Sequence, residues 1–450
     1  MCAIFGISGV DESSNLTYLG LHALQHRGQE GTGIVSTHGK EPFVHKERGL
    51  VGDVFTASVI NSLQGHTAIG HNRYSTAGGN TSENLQPLIM KSSLGWVSIA
   101  HNGNLVNATE LTKKLEQEGS IFQSTADTEV ILHLMAKSKE RELTRALIHA
   151  LNQVIGAYSL LVLNHEYLIA VRDPQGFRPL VMGSHKGRPV FASESTAFDL
   201  IGATYEREIE PGEMVIVSLN NNFSVSSIRP LNSALKKRCV FEQVYFARPD
   251  SLVYGSTVYH TRKNLGKQLA EEQPALHAEM VIPVPDSGVY AAIGYSEFSN
   301  LPFEMGIIRS HYIGRTFIEP RQAIRDFGVK LKLNPVAEII KGKSIVVVDD
   351  SLVRGTTSKK LIQHLRDAGA REVHLRISAP PTAHPCFYGI DTPTKKELLA
   401  SSNSIEKIRV FVGADSLGYL SLEGLLKVAS EKSGEGFCHA CFSGDYPCLT

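Results

Sequence analysis

A cysteine directly follows the first methionine in MCAIFGISGV, so removal of Met1 would leave Cys2 carrying both a thiol and a free α-amine. Such an amine, with an ordinary pKa of roughly 7.7–8.0, can act as a general base beside its own nucleophile. If Met1 stays, Cys2 is one buried thiol among others. The small side chain at position 2 is of the kind that permits clipping. With Met1 alone ahead of it, simple methionine removal is expected to suffice.

Three further stretches of the first half fit one substrate with that thiol. HNRYSTAG (71–78) sets Arg73 beside hydroxyl residues that include Thr76, HNGN (101–104) holds Asn102 and Gly103, and TADTE (125–129) holds Asp127. An arginine fork matches an α-carboxylate, and an acid such as Asp127 matches an α-ammonium group. An Asn side chain with the Gly103 N–H would make an oxyanion hole for a thiol attacking an amide. Each stretch also has a plain structural reading: a surface cation, a hairpin turn and a helix cap.

In the second half, KSIVVVDDSLVRGTTSKKLIQHLRDAGA reads as a buried strand, Ile345 to Val348, ending in Asp349 and Asp350. The loop Arg354, Gly355, Thr356, Thr357 and Ser358 then opens a helix with Leu361, Ile362 and Leu365 on one face and Gly369 as its stop. Backbone N–H groups, hydroxyls and the positive end of the helix dipole there suit a phosphate. Paired acids suit the vicinal hydroxyls of a ribose and the Mg2+ of a phosphorylated one. The spacing is not that of a P-loop, so ATP hydrolysis is not indicated. Six cysteines lie at 2, 239, 386, 438, 441 and 448. In a reducing compartment, the cluster ending in FCHAC points to metal or catalysis rather than disulfides. Cys239, Cys386, Cys438 and Cys441 suit Zn2+ or an iron–sulfur cluster equally by ligand type, and packed reduced thiols remain an alternative.

The elements that must position these residues divide into two kinds. Up to about residue 230, short strands (WVSIAHNGNL, AYSLLVLNHEYLIAVRD, EMVIVSLNNNFSVSSI) alternate with helical spacing in VFTASVINSL and TADTEVILHLMAKS, where Val130, Ile131, Leu134 and Met135 share a face. That predicts a layered α+β domain with antiparallel sheets over 2–230. Over 231–450, the apolar runs AEMVIPVP, FEMGIIRS, KSIVVVDD, REVHLRISAP and IRVFVG between helices predict a mainly parallel sheet buried on both faces. Lys plus Arg equals Asp plus Glu at 45 each, so no global field favours nucleic acid or an anionic membrane. No apolar stretch reaches the eighteen or so residues of a membrane span, and no secretory signal opens the chain; a cytoplasmic protein is expected.

VVVDDSLVRGTTS resembles the phosphoribosyl-pyrophosphate (PRPP) signature of type I phosphoribosyltransferases. The likeness implies that Asp349 and Asp350 bind ribose hydroxyls and Mg2+, and that residues 354 to 358 hold the 5′-phosphate. VIPVPDSG resembles the loop that meets pyrophosphate and metal, which brings in Asp286, Ser287 and Gly288. GRTFIEPRQAIRDFGVKLKLNP resembles the family's lid, with Arg315, Arg321, Lys330 and Lys332 as pyrophosphate contacts. The Cys2, Arg73, Asn102 and Asp127 set, with LQHRGQEGTGI (24–34), resembles the N-terminal-nucleophile (Ntn) glutaminase domain of class II glutamine amidotransferases. CVFEQVYFARPDS, HPCFYGIDTPT and FCHACFSGDYP resemble the segments that supply a [4Fe-4S] cluster in one branch of the amidophosphoribosyltransferase family. In that likeness the cluster is structural and Cys448 is a spare thiol. The family implies glutamine and PRPP as substrates, a homotetramer, and inhibition by AMP- and GMP-type nucleotides. Other class II families, such as the asparagine synthetases, lack the PRPP loop; a nucleotide-sensing module without chemistry would not need the Cys2 set.

Overall fold

The computed structural model describes residues 1–75, 79, 81–231, 235–310, 333–392, 394–430 and 436–448. The first half is built from two antiparallel sheets. One has seven strands, in the order Thr204–Glu208, Val181–His185, Arg188–Ala192, Ala3–Ser8, Thr67–Arg73, Gly31–Thr37, Pro42–Arg48. The other has six: Ser224–Ile228, Met214–Ser218, Tyr167–Arg172, Gly156–Leu163, Gly95–Leu105, Leu88–Ser92.

The apolar run after Cys2 is explained by its place in this stack. Ala3–Ser8 is a central strand, so both of its faces are covered. Ala3, Phe5 and Ile7 pack on helices Ser13–Ala23 and Thr196–Ile201, while Ile4 faces the second sheet with Ile69, Leu161 and Leu168. On the far side of the second sheet, Val130, Ile131, Leu134 and Met135 of helix Thr128–Lys137 pack on Ile99, Leu160 and Val162. The result is four layers, helix, sheet, sheet and helix, as the α+β reading required. VFTASVINSL is helical in two pieces rather than one: Val51–Val54 ends before Phe55, and Thr56 caps a second turn at Ala57–Ser62.

The second half centres on a four-stranded parallel sheet in the order Met280–Pro283, Ser344–Asp349, Glu372–Ile377, Ser416–Tyr419. Val281, Val346 and Val348 face helices Val258–Glu272 and Val289–Ser299. Ile282, Ile345 and Val347 face Leu361, Ile362 and Leu365 of helix Thr356–Asp367. Two expected strands differ. FEMGIIRS gives Ile307–Arg309, which pairs antiparallel with Leu333–Pro335 outside the main sheet. IRVFVG is the end of helix Ile405–Val412. There the Ser404 side chain accepts from the Lys407 N–H, Gly413 closes the helix in a left-handed conformation, and Ile408 and Val412 bury one face. Caps at both ends override the β preference of Ile and Val.

Helices Val258–Glu272 and Val289–Ser299 meet through glycine. A Cβ on Gly266 would fall 1.8 Å from the Ala291 carbonyl oxygen, and one on Gly294 would fall 1.8 Å from that of Lys263. Gly266→Ala is therefore expected to destabilise the protein by about 1–3 kcal/mol, read as a lower urea midpoint at unchanged slope.

Candidate functional site

Cys2 lies at the start of the central strand, 6% exposed. Its thiol is 3.5 Å from the Tyr74 carbonyl oxygen, and its backbone N–H donates to Asn102 Oδ1 at 3.3 Å. Asn102 and Gly103 are not a hairpin turn: they sit inside strand Gly95–Leu105, paired with Ser159 and Tyr158. With Oδ1 engaged, Asn102 Nδ2 is buried and has no partner among the described residues. An unpartnered buried donor is costly unless a ligand uses it. Here it belongs to the same amide that holds the Cys2 N–H.

Arg73 is buried and Nη2 donates to the Gly79 carbonyl at 2.9 Å, so it is not a surface cation. Asp127 precedes helix Thr128–Lys137, but its carboxylate makes no capping bond. Instead it accepts from the Leu105 N–H at 2.8 Å, tying that helix to the strand bearing Asn102. Burial alone would raise the Asp127 carboxyl; His101 and hydrogen bonds from His101, Leu105 and Thr128 outweigh this and hold it below its usual range. Thr76 lies outside the described residues, as do Arg315, Arg321, Lys330 and Lys332.

Sequence reasoning assigned no role to the charges that anchor this site. Arg27 Nε donates to the Cys2 carbonyl at 3.1 Å. The guanidinium also binds Glu194 and, at 2.8 Å, Glu242 from the second half. Glu242 accepts from Arg178 Nη1 at 3.2 Å, and Glu194 accepts from His26, the Arg248 N–H and Ser251 Oγ. Met1 is buried against Arg27 and Arg178, and burial pushes its amine down to about 6. Buried Arg–Glu pairs have no sequence period that would have announced them.

A cavity of about 850 Å3 connects the halves. Tyr74 and His26 line one side, and Asp349, Asp350, Ser287 and the loop Arg354 to Ser358 line the other. Asp349 closes its strand, and Gly355, with φ +71°, turns the chain into helix Thr356–Asp367. Burial and then the Asp350 charge push the Asp349 carboxyl well up. Burial also raises Asp350, against hydrogen bonds from Ser287 and Ser351 and the charge of Arg262. Arg354 pairs with Glu397 at 3.0 Å, and Asp286 pairs with Arg309.

None of the six cysteines forms a disulfide. Cys239 and Cys438 are register partners of a short parallel pair, and the Cys441 carbonyl accepts from the N–H groups of Ala383 and His384. Cys239, Cys386, Cys438 and Cys441 all interact electrostatically with one another. Burial raises the thiols of Cys239, Cys438 and Cys441. Arg178 faces Cys239 and Cys386, and its fully buried Nη2 has no partner among the described residues. Cys448 lies beside this group, its N–H donating to the Tyr388 hydroxyl at 3.0 Å.

Residues 71–199 match the family described as glutamine amidotransferase domain. The chain is 50% identical over 450 residues to the amidophosphoribosyltransferase of Bacillus subtilis strain 168, covering 99% of this chain and 94% of that protein. It is also similar to the solved structure of the glutamine PRPP amidotransferase of B. subtilis complexed with ADP and GMP: TM-score 0.93, 49% identity, covering 100% of this chain and 98% of that one. A second structure, described as the allosteric regulatory enzyme of purine biosynthesis, gives a TM-score of 0.94 at 49% identity, with 100% and 96% coverage.

The buried ion network makes stability depend on acid pH. Burial would raise the Glu194 carboxyl, but His26, Arg27 and its hydrogen bonds hold it far below its ordinary value. A depressed carboxylate contributes stability above its unfolded pKa and loses it as pH falls. Glu194→Gln is expected to cost about 3–5 kcal/mol at neutral pH and to flatten the loss of stability that sets in as pH falls below about 5, measured as urea midpoints.

Proposed function

This chain belongs to the amidophosphoribosyltransferase family and carries out glutamine-dependent amidotransfer to PRPP in purine biosynthesis, and from that premise we propose which of its residues do the work and with which ligands. The observation that carries the assignment is the continuous cavity from Tyr74, whose carbonyl meets the Cys2 thiol, to Asp349 and Asp350.

A glutaminase domain (2–230) and a phosphoribosyltransferase domain (231–450) divide the task. After removal of Met1, the Cys2 amine takes the thiol proton and the sulfur attacks the carboxamide carbon of glutamine. Negative charge develops on the amide oxygen, where the spare Asn102 Nδ2 donor and the Gly103 N–H receive it. The C–N bond then breaks, ammonia leaves with the proton returned by the amine, and a thioester remains for water to open. Arg73 with Thr76 takes the α-carboxylate of glutamine, and Asp127 the α-ammonium. Ammonia stays unprotonated and nucleophilic only where its passage to the second domain is shielded from water.

In the second domain, the N–H groups and hydroxyls of Gly355, Thr356, Thr357 and Ser358, with Arg354, hold the 5′-phosphate at the helix N-terminus. Asp349 and Asp350 take the ribose hydroxyls, and Lys330 the pyrophosphate. Ser287, Asp349 and Asp350 also fit Mg2+, since two adjoining carboxyls pushed up by burial gain from a divalent cation. Bound there, Mg2+ supplies charge neutralisation for the departing pyrophosphate.

Cys239, Cys386, Cys438 and Cys441 fit a [4Fe-4S] cluster: four thiols with mutual influence and the unpaired Arg178 Nη2 suit an anionic core. Its contribution is structural, tying the C-terminal tail to Cys239. AMP- or GMP-type nucleotides are inhibitors in this reading, consistent with the ADP and GMP of the B. subtilis complex, and a homotetramer is the assembly that the family likeness implies. The location is cytoplasmic; among the described residues no helix is long and apolar enough to cross a membrane.

Cys2→Ser is expected to lower glutamine-dependent phosphoribosylamine synthesis by roughly a thousandfold or more while the ammonia-dependent rate stays within about twofold. Full glutamine-dependent activity in that variant would overturn the assignment. Anaerobically purified protein should hold about four iron atoms per chain, and Cys441→Ser should lose the iron together with thermal stability.

A further inference from the structure

The segment that carries Cys386 does more than present a thiol. Residues 387–389 lie against Gly103 and Asn104, Gly103 being the proposed backbone donor of the glutaminase site. Gly389, at φ +102°, approaches so closely that a Cβ there would lie 3.0 Å from both the carbonyl carbon and oxygen of Gly103. The next residue along the strand is tied to the same segment: Asn104 Nδ2 donates to the Phe387 carbonyl at 2.9 Å. Gly103 cannot retreat on its other side, where a Cβ would meet the Ala157 carbonyl oxygen at 2.0 Å. It is held between a neighbouring strand and this loop.

The loop itself is fixed by first-half residues. Tyr388 stacks on Phe177 with ring centroids 4.4 Å apart, and its carbonyl accepts from Arg178 Nε at 2.9 Å. Its N–H donates to Cys386 Sγ at 3.3 Å, so the thiol and the wall behind Gly103 are parts of one turn.

We propose that residues 386–389 are a positioning element for the oxyanion hole, with Gly389 setting where the Gly103 amide stands and Asn104 locking the register. This makes the cysteine-rich half part of the glutaminase site. A donor displaced by a fraction of an ångström from the developing oxyanion loses much of its worth, whereas the thiol is untouched. The inference rests on the glutaminase reading of Cys2, Asn102 and Gly103.

The test compares Gly389→Ala with wild type as full-length, anaerobically purified holoenzyme of measured iron content. The expected result is a fall of about tenfold to a hundredfold in kcat for glutamine hydrolysis with little change in KM, while ammonia-dependent synthesis and iron content hold within about twofold. The rate at which iodoacetamide alkylates Cys2, a substitution that uses no oxyanion hole, should also be unchanged. Asn104→Ala removes the tether without adding an atom and should give a smaller fall, about threefold; it decides the matter if the 389 variant does not accumulate folded. Unchanged hydrolysis in the folded variants overturns the proposal. So does a loss of hydrolysis in step with iron, ammonia-dependent rate and Cys2 alkylation, the mark of a merely structural lesion. Cys2→Ser, assayed alongside, separates the two readings: hydrolysis surviving there overturns the site itself, whereas hydrolysis lost there but kept in Gly389→Ala overturns only the positioning role.

Discussion

The molecule depends on a buried ion network at the seam between its halves. Arg27 and Arg178 come from the first half, Glu194 stands with them, and Glu242 comes from the second. All four side chains are fully buried. Isolated charges cannot stay ionised there, so each requires the others in place. The network therefore fixes how the two halves meet. Because Arg27 also holds the Cys2 carbonyl, the same constraint sets the position of the proposed nucleophile. Glu242 follows Cys239 by three residues, so the seam, the N-terminus and the thiol group are mechanically continuous.

Strand Gly95–Leu105 shows how an ordinary element is turned into a site. Its first residues serve the core, with Val97 and Ile99 facing one helix layer. Further along, His101 is held by Thr128 and Asn102 by the Cys2 N–H. Leu105 is held by Asp127. Pairing with Gly156–Leu163 from Ser98 to Leu105 leaves this stretch little freedom to shift, which suits a donor whose value lies in being placed before charge develops. The close approach of Gly389 from outside the sheet completes that restraint.

Much of this was legible in the sequence, and the reasons are physical. Continuous Val and Ile runs between amphipathic helices announce a parallel sheet, and alternating segments with Asn and Gly turns announce antiparallel ones. Asp349, Asp350 and the hydroxyl-rich loop were legible because strand end and helix start adjoin in sequence. IRVFVG misled because its β-branched residues outweigh, in a short window, the Ser404 and Gly413 caps that make it helical. The Arg27, Glu194, Arg178 and Glu242 network was illegible for a different cause. Its members are scattered over more than two hundred residues, and buried ion pairs carry no periodicity. The wall formed by Gly389 behind Gly103 was hidden for the same reason, since close backbone approach is a property of two distant segments.

Unmet electrostatics separate the places meant for ligands from the rest. Unpartnered buried atoms alone do not mark them, because Ser98 Oγ and Tyr158 OH are also buried and unpaired among the described residues. What distinguishes Asn102 Nδ2 is that its own amide holds the Cys2 backbone N–H, while Arg27 holds the Cys2 carbonyl. What distinguishes Arg178 Nη2 is that it faces the cysteine group, where burial pushes up the Cys239 thiol that a metal centre would take as thiolate. Asp349 and Asp350 give the opposite case, two carboxyls crowded at a strand end that leads, through one loop, to a helix N-terminus that itself seeks an anion. A cation and a phosphate together satisfy both demands, while neither alone does. Each of these strains is relieved by a different proposed ligand, and each lies on or beside the seam that Arg27 and Glu242 close.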